Sequence, residues 1–583
     1  MQLRSASTSR LLATLLVVAG GLSCGDATGP EGALAFDVAE LRLDAAGTGT
    51  VVLSNRGALP VGPVELRSGA VLDAGSASVP GARLTAAPAD VPTLAPGQTV
   101  TVTVGMDAGT LLQPGEYRAE LIARTPDGER RLDVRVTAAD LQGFEGATVR
   151  FDSGPTDVRQ GDVARYVASA TDSAGAALSP AAITWSVAPA GAGFVAPDGS
   201  LVAYAPGSLT VRAQVGAATA ERAVTVQARG LGGQAVRVGE GSVLERHTSD
   251  LWVHGEWAYT GTWGQRARNG SIRVGDALHV WSLADPVAPV RVGTLTVDAR
   301  TVNDVKVRAD GQLAVLTHEG SNDGLNGVTV LDLSDPAAPQ VLSRYTAGLE
   351  SGVHNAWIEG DYAYLVVDGV GNGMRVLDLS DPRAPSVVAS YWAGSSFLHD
   401  VYVRDGLAFL SHWNAGLVVL DVGNGIAGGS PTNPVEVSRL GALNGQTHNA
   451  WYWPDAGYVF VGEEDFSSPG YMHVVDVRDL RAPREVATFR VAGTTPHNFW
   501  LDEATGVLYL AWYENGLRAL DVSGELLGDL ERQGREIFGL QYDGVGFGCA
   551  SADGTCTWAP QLHRGLLYLS DMNNGLVVVR PEL

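Results

Sequence analysis

The stretch Leu331–Pro336 reads Leu-Asp-Leu-Ser-Asp-Pro, and the same six residues return at Leu377–Pro382. In both copies a further proline follows three residues later, at Pro339 and Pro385. Looser or degenerate copies begin at Trp281, Leu420, Val475 and Leu520. A unit that recurs at a period of tens of residues indicates a repeat architecture, so this half of the chain is a series of similar structural units.

A second recurring feature measures the period. Each unit opens with a residue pair that ends in Asp or Asn, and these anchor residues are Asp250, Asp304, Asn355, Asp400, Asn449 and Asn498. They are spaced by 45 to 54 residues, and a seventh anchor aligns near Ala559. Within the third unit the sequence predicts four short strands, at Ala356–Ile358, Tyr362–Val367, Met374–Leu379 and Val387–Tyr391. Four strands in roughly 40–50 residues are typical of a propeller blade.

The seven anchors predict seven blades over residues 233–583, with six as the alternative if the last unit is irregular. The seventh unit supplies only three strands before Leu583. We therefore expect Gln234–Val238 to pair with the strand around Leu576–Val579, since this pairing closes the ring and removes an open sheet edge.

Two further β-rich segments precede the repeats. Residues 33–139 alternate apolar and polar side chains, as in Thr99–Val104, and turns separate the runs. Residues 145–229 continue the pattern, and Arg229–Gly233 forms the joint to the repeats. Short alternating strands with frequent turns are typical of β-sandwiches. The predicted fold is all-β, a seven-bladed β-propeller preceded by two Ig-like β-sandwich domains.

These segments resemble known families. Gly416–Val422 and Gly575–Val579 are similar to the core string of the LVIVD-repeat family of bacterial and archaeal surface proteins, which implies a propeller but no agreed activity. Residues 145–229, with Ala182–Val187 and Gly207–Val211, resemble bacterial Ig-like (group 2) domains, which act as spacers or adhesive modules. A looser functional analogy is to the selenium-binding protein and methanethiol oxidase propellers, which carry histidines and a metal near the channel.

The N-terminus predicts export. Residues 1–24 have Arg4 and Arg10 before the apolar run Leu11–Leu22, which is typical of a signal peptide. Cys24 follows small residues and resembles a lipidation site, with ordinary signal cleavage nearby as the alternative. Residues 25–32 form a Gly-rich tether. We expect an outer-membrane or cell-surface lipoprotein that meets the membrane only through its lipid, or otherwise a periplasmic or secreted protein.

The net charge bears on the class of binding partner, and the cysteine content bears on disulfide formation. The 64 acidic and 40 basic residues give a net charge of −24, which disfavours nucleic acid because such a surface repels phosphate. The remaining two cysteines, Cys549 and Cys556, lie in one Gly/Ser/Asp-rich loop, and in an exported chain we expect them to form a disulfide.

Histidines open four successive units, at His354, His399, His448 and His497. We expect them to cluster around the mouth of the central channel, where two or three, completed by Glu463 or Glu464, would bind a transition metal. Calcium is the alternative cation, bound through the carboxylates of Glu463 to Asp465. The structural alternative is that each histidine pair only hydrogen-bonds neighbouring strands.

Loops expected on the same face differ from unit to unit, as a binding face requires. Their candidate residues are His318, His412, Trp413, Asp465, Trp512, Glu514 and Asn573. The sequence thus supports two functions. The first is a surface protein whose propeller presents a face for a protein, glycan or small ligand on Ig-like spacers. The alternative is a metal-dependent enzyme, for example an oxidoreductase, with its histidine site at the channel mouth.

Overall fold

The chain is described by a computed structural model. The described residues are 34–38, 40–43, 48–69, 71–72, 79, 84–106, 115–125, 128–138, 146–268, 271–394, 396–441, 443, 445–465, 470–542, 549 and 554–583. The predicted signal peptide, Cys24 and the tether lie outside them. Within the described ranges the fold is all-β, with 3-10 helices at Pro180–Ala182 and Glu531–Gln533, and none of the described helices is long and apolar enough to cross a membrane. Two compact units divide the chain, Met1–Gly143 and Phe144–Leu583.

The first unit contains two sheets around one core. One sheet has the strand order Leu34–Phe36, Thr48–Asn55, Thr99–Met106, Leu84–Ala87, and the other has the order Glu40–Arg42, Gly128–Ala138, Gly115–Thr125, Val64–Ser68, Asp90–Val91. Side chains alternate between the two faces of the strand Thr99–Met106, so that Val102, Val104 and Met106 face the core while Thr101 and Thr103 face solvent.

The second unit begins with a small β-sandwich. Its sheets have the orders Thr148–Ser153, Val167–Thr171; then Asp157–Arg159, Ala218–Gln227, Gly207–Val215, Thr184–Ala188; and then Val163–Arg165, Ser200–Ala203, Gly193–Val195. Tyr166, Leu201 and Val211 fill its core.

Residues 234–583 form seven sheets with four principal strands each, numbered here 1 to 7 and given from the first strand outward. Sheet 1 is His247–His254, Trp257–Trp263, Ala277–Ser282, Val290–Thr296; sheet 2 is Val305–Val307, Leu313–His318, Gly327–Asp332, Gln340–Tyr345; sheet 3 is Val353–Glu359, Tyr362–Val367, Met374–Asp378, Ser386–Tyr391; sheet 4 is Leu398–Arg404, Leu407–His412, Gly416–Asp421, Val435–Leu440. Sheet 5 is Thr447–Trp453, Tyr458–Glu463, Met472–Asp476, Arg484–Phe489, with Gly528–Asp529 added at its edge; sheet 6 is Phe499–Asp502, Val507–Ala511, Leu517–Asp521, Glu536–Leu540; sheet 7 is Thr557–His563, Leu566–Asp571, Gly575–Glu582, Gln234–Ser242. A hairpin, Gln265–Arg268 with Ser271–Val274, projects from sheet 1.

The first strands of these sheets line one central cavity, which is called the channel here. Each first strand contacts the first strands of both neighbouring sheets, and that of sheet 7 contacts those of sheets 6 and 1. The last strand of sheet 7 comes from the start of the segment: Gln234 pairs with Glu582 and Ser242 with Gly575. This antiparallel pairing covers the edge of the apolar strand that contains Val577 to Val579.

The recurring Leu-Asp-Leu-Ser-Asp-Pro text forms turns. Asp332 accepts the backbone N–H of Ser334, and Asp335 accepts that of Ala337. Asp378 and Asp381 do the same in the next sheet. The sequence motif that defines the repeat therefore forms the turn between the third and fourth strands of a sheet, and it lies away from the channel.

A disulfide joins Cys549 and Cys556, with the sulfurs 2.01 Å apart and the Cα atoms 5.5 Å apart. The loop it closes connects sheets 6 and 7, and Thr557 next to it begins the first strand of sheet 7. The bond therefore fixes the chain close to the point where it enters the channel wall.

A buried ion pair fixes the second sandwich to sheet 6. Arg229 donates to Asp521 from both Nε and Nη2, at 2.9 and 2.5 Å, and to Asp162 at 2.8 Å. Its side chain is only 2% exposed. Arg535, also buried, donates to the carbonyl of Gly161 at 2.7 Å. The predicted joint, residues 229–233, is therefore held rigidly at its first residue, Arg229.

We predict that Arg229→Met lowers the free energy of unfolding by about 3–5 kcal/mol, because it leaves the half of the junction around Asp521 without its cation. Arg165→Met is the matched control, since Arg165 makes an exposed pair with Glu525 across the same junction and should cost about 0–1 kcal/mol. Urea unfolding measures both, and equal costs for the two variants would contradict the rigid junction.

Candidate functional site

Bulges in the first strands aim the histidines into the channel. In sheets 3, 4 and 5 the pairing between the first two strands skips one residue, and that residue is His354, His399 or His448. In sheet 7 the skipped residue is Trp558. A bulge breaks the alternation of side chains, so two consecutive residues can face one side. Both His399 and Asp400 accordingly line the same cavity.

The bulged histidines, together with His497 before the first strand of sheet 6, form one arc of inclined rings. Ring centroids are 4.4 Å apart from His354 to His399, 4.4 Å from His399 to His448, 4.3 Å from His448 to His497, and 4.2 Å from His497 to Trp558. The four imidazoles therefore lie together at one end of the channel, where each belongs to a different sheet.

Two imidazoles and one carboxylate form the inner cluster, His399, His448 and Glu464. Their Nε2 atoms lie 3.7 and 3.8 Å from Oε2 of Glu464. Nδ1 of His399 lies 3.2 Å from the backbone carbonyl of His448, and donation there leaves the Nε2 lone pair directed towards Glu464. A backbone carbonyl that fixes the tautomer in this way is the usual second partner of a metal-binding histidine.

The electrostatics of the inner cluster favour a bound cation. Burial, with the neighbouring imidazoles, lowers the pKa values of His399 and His448 well below the usual range, so both rings are neutral ligands. Burial raises the pKa of Glu464 to about 7, against the opposing effect of a hydrogen bond from the Tyr513 hydroxyl. The charge of His354 also opposes this rise but does not cancel it, so a bound cation would further stabilise the charged carboxylate.

Tyr513, which holds Glu464, has a strained backbone. Its φ is +41°, in the left-handed region that residues other than glycine seldom occupy. The Tyr513 carbonyl accepts the backbone N–H of Thr557 at 3.0 Å, which fixes the loop against sheet 7. Strain that the surrounding structure maintains is common at functional sites.

Glu319, His354 and Asp368 form the outer cluster. Nδ1 of His354 is 3.0 Å from Oε1 of Glu319 and 3.8 Å from Oδ1 of Asp368. Burial alone would lower the pKa of His354, but Glu319 and Asp368 outweigh it and raise this pKa to about 9. All three side chains are between 21% and 26% exposed, so this cluster is more accessible than the inner one.

Below the arc the channel is narrow. A cavity of about 20 Å³ lies between the arc and the anchor residues, and it has room for one water molecule or one ion. A second cavity of about 60 Å³ lies deeper and is lined by Trp252, Trp357, Tyr402, Trp451 and Trp500. Each of these aromatic residues follows an anchor by two positions. The channel therefore suits ions and water better than an organic substrate.

Lys306, the chain's only lysine, occupies the channel. Its Nζ is 2.6 Å from Oδ2 of Asp250 and also contacts Asp304. It lies 5.6 Å from the centre of the Trp252 ring. Burial raises the pKa of Asp250 to about 7 although Lys306 opposes the shift, whereas the two carboxylates raise the pKa of Lys306 despite its burial. Lys306 is thus a built-in cation for these carboxylates.

The structure does not bring the remaining candidate metal ligands, Glu463, Asp465 and His497, into the inner cluster. Glu463 points away from Glu464 and lies 3.2 Å from Nε2 of buried His473, because adjacent residues of a strand face opposite sides. The expectation of a joint oxygen site from Glu463 to Asp465 therefore does not hold. His497 lies in the arc, with its Nδ1 2.6 Å from the carbonyl of Trp558, but among the described residues it belongs to neither group of ligand atoms that converge within 4.8 Å.

Several expected binding-face residues need correction, because they are buried within the sheets. The buried ones are His318, His412, Trp512 and Asn573. They end or follow the second strands, where their side chains pack between sheets. Trp413 stacks on His399 with centroids 4.7 Å apart, Glu514 accepts from the Thr494 hydroxyl at 3.1 Å, and the backbone N–H of Asp465 donates to Thr495 at 3.0 Å.

Comparisons with known proteins gave one family match and similar solved structures. The LVIVD repeat matches residues 322–347, 352–392 and 398–440. These matches and the four-stranded sheets support a β-propeller protein. The β-propeller domain of Cps50 (Swd1) from Myceliophteria thermophila is similar over 58% of this chain and 98% of its own, at 12% identity and a TM-score of 0.41. A search of curated proteins found no match.

We predict that Lys306→Met lowers the free energy of unfolding by about 3–5 kcal/mol, because Asp250 and Asp304 would stay buried without a cation. The same change should cost less in an Asp250→Asn background, which removes one of the two carboxylates. Arg308→Met is the control, since the Arg308 pairs are on the surface and should be worth about 0–1 kcal/mol. Equal losses at residues 306 and 308 in chemical denaturation would refute the role of Lys306.

Proposed function

We propose that this chain is an exported surface protein whose propeller binds a divalent transition-metal ion at the mouth of its channel. The observation that carries the proposal is the inner cluster, in which two neutral imidazoles direct Nε2 atoms at one carboxylate oxygen, 3.7 and 3.8 Å away. The ligand-binding face expected from the sequence is, in this proposal, a metal site.

The donor set favours particular ions. Two imidazoles and a carboxylate suit Zn²⁺, Fe²⁺, Co²⁺, Ni²⁺ or Cu²⁺, whereas Ca²⁺ and Mg²⁺ prefer oxygen ligands alone. Bonds of about 2.1 Å in a tetrahedral site separate the ligand atoms by about 3.4 Å. The two distances from the imidazoles to Glu464 exceed this by only a few tenths of an ångström, and all three ligand atoms lie within 4.8 Å of one another, so side-chain movements would complete the site.

The alternative, a metal-dependent enzyme, is favoured by one feature. Three protein ligands leave a coordination position open, as in catalytic zinc sites. The Tyr513 hydroxyl donates to Glu464, so it would hold a proton next to one of the three ligands. Nothing in the cluster assigns a reaction, and a substrate would have to approach from the outer side of the arc, since the cavity below holds only about 20 Å³.

The proposal also covers the architecture of the chain around the metal site. Residues 233–583 would be one closed ring of seven blades, and residues 33–139 and 145–229 would be Ig-like domains that carry the ring on a lipid-modified Cys24. Support for the ring comes from the cyclic contacts of the first strands and from the pairing of Gln234 with Glu582. Because Arg229 fixes the second sandwich to sheet 6, this domain would act as a fixed support rather than a hinged spacer.

We predict that the purified protein, freed of metal and then titrated with Zn²⁺, binds the ion with an affinity that falls at least about 100-fold in His448→Ala and in Glu464→Gln. The magnitude follows because removal of even an outer partner of a metal ligand costs 10–100-fold. His563→Ala and Asp455→Asn are matched controls, since both residues lie away from the arc and should leave the affinity unchanged. Calorimetric titration measures the affinity. Equal binding by all four variants would overturn the proposal.

A further inference from the structure

The outer cluster points to a second ion. We propose that Glu319, His354 and Asp368 bind a further divalent cation beside the inner one, so that the channel mouth holds a two-metal centre. This inference rests on the proposed function and deepens it, because it assigns the residues of a separate site.

The geometry of the outer cluster fits one ion. Its three ligand atoms, one from each residue, all lie within 4.8 Å of one another. Nδ1 of His354 is 3.0 Å from Glu319 and 3.8 Å from Asp368. Neighbouring ligands around an ion with bonds of about 2.1 Å stand about 3.0–3.4 Å apart. The distance from His354 to Glu319 lies at the short end of this range and the distance to Asp368 exceeds it by a few tenths of an ångström, so Asp368 would move towards the ion.

The backbone places the three ligands on neighbouring sheets. Glu319 follows the second strand of sheet 2, Asp368 follows the second strand of sheet 3, and His354 is the bulged residue of sheet 3. Gly352 makes room for the carboxylate, since a Cβ at this position, where φ is +119°, would collide with Oδ2 of Asp368. The Asp368 backbone N–H also donates to the Gly352 carbonyl at 3.0 Å.

The charge of the outer cluster favours a dication. Two carboxylates share one imidazole, so the cluster is formally negative even when His354 is protonated. A divalent ion would neutralise both carboxylates, and the partial exposure of all three side chains gives it access from solvent.

The two clusters differ in chemistry and share a border. The inner one offers two nitrogens and one oxygen, whereas the outer one offers one nitrogen and two oxygens, so the outer site accepts harder ions such as Mn²⁺ more readily. The rings of His354 and His399 are 4.4 Å apart, which makes the two ions close neighbours. Their repulsion makes the second ion bind more weakly than the first.

The test is the number of Zn²⁺ ions bound per chain, measured by elemental analysis and calorimetric titration of the full chain. We expect two ions in the unaltered protein and one in Glu319→Gln/Asp368→Asn, with the tighter binding step retained. Asp368→Asn alone is a milder variant, in which the weaker step should lose at least about tenfold in affinity. Asp455→Asn, an exposed carboxylate at a turn between the first two strands of sheet 5, should keep both ions.

The outcomes separate this inference from the proposed function. One ion in the unaltered protein, lost in His448→Ala but kept in Glu319→Gln/Asp368→Asn, would overturn the outer site alone. One ion lost only in Glu319→Gln/Asp368→Asn would support the outer site and overturn the inner one. No bound ion would overturn both. Thermal unfolding and near-ultraviolet circular dichroism verify that each variant is folded.

Discussion

The β-bulge in the first strand of a sheet is the constraint on which the channel mouth depends. Without it, His399 and Asp400 would face opposite sides of the strand, and only one of them could reach the channel. The bulge turns both inward, so the imidazoles form an arc above a ring of carboxylates and amides. Because the bulge recurs in sheets 3, 4 and 5, separate strands supply ligands to one place.

Cationic groups lie beside the buried carboxylates in two layers. Lys306 contacts Asp250 and Asp304 inside the channel, and His354 lies against Glu319 and Asp368 near the surface, so each cation faces two carboxylates. Glu464 is the exception, since its nearest partners are the Tyr513 hydroxyl and two neutral imidazoles. Burial raises the pKa of Glu464 to about 7 although His354 opposes the shift, and this cost of burying the charge gives the inner cluster its proposed affinity for metal.

The sequence predicted the repeating sheets well and the site only in outline. Proline and aspartate at fixed turn positions, as in Leu331–Pro336, determine where strands end, and this information is local. The histidine pairs also indicated which end of each unit faces the channel. The side to which a given residue points depends instead on cross-strand register, which a single strand does not specify. Glu463 and Glu464 were therefore indistinguishable by sequence.

Other residues of the site carried signals that were present but easily misread. Lys306 stands two residues after an anchor, where five other units have Trp or Tyr, and this place marks it as a channel residue. Trp558 replaces histidine in the seventh unit and continues the arc. Tyr513 and Asp368 lie on loops whose conformation depends on contacts with other sheets, so their roles could be read only from the fold.

The central claim is that the bulged histidines and Glu464 form a metal site. Anomalous X-ray diffraction from crystals of the metal-loaded protein, recorded on both sides of the zinc absorption edge, tests it most directly. We predict an anomalous peak within about 2.0–2.2 Å of Nε2 of His399, Nε2 of His448 and a carboxylate oxygen of Glu464. The absence of a peak at the arc, with these three side chains in the positions described here, would contradict the account.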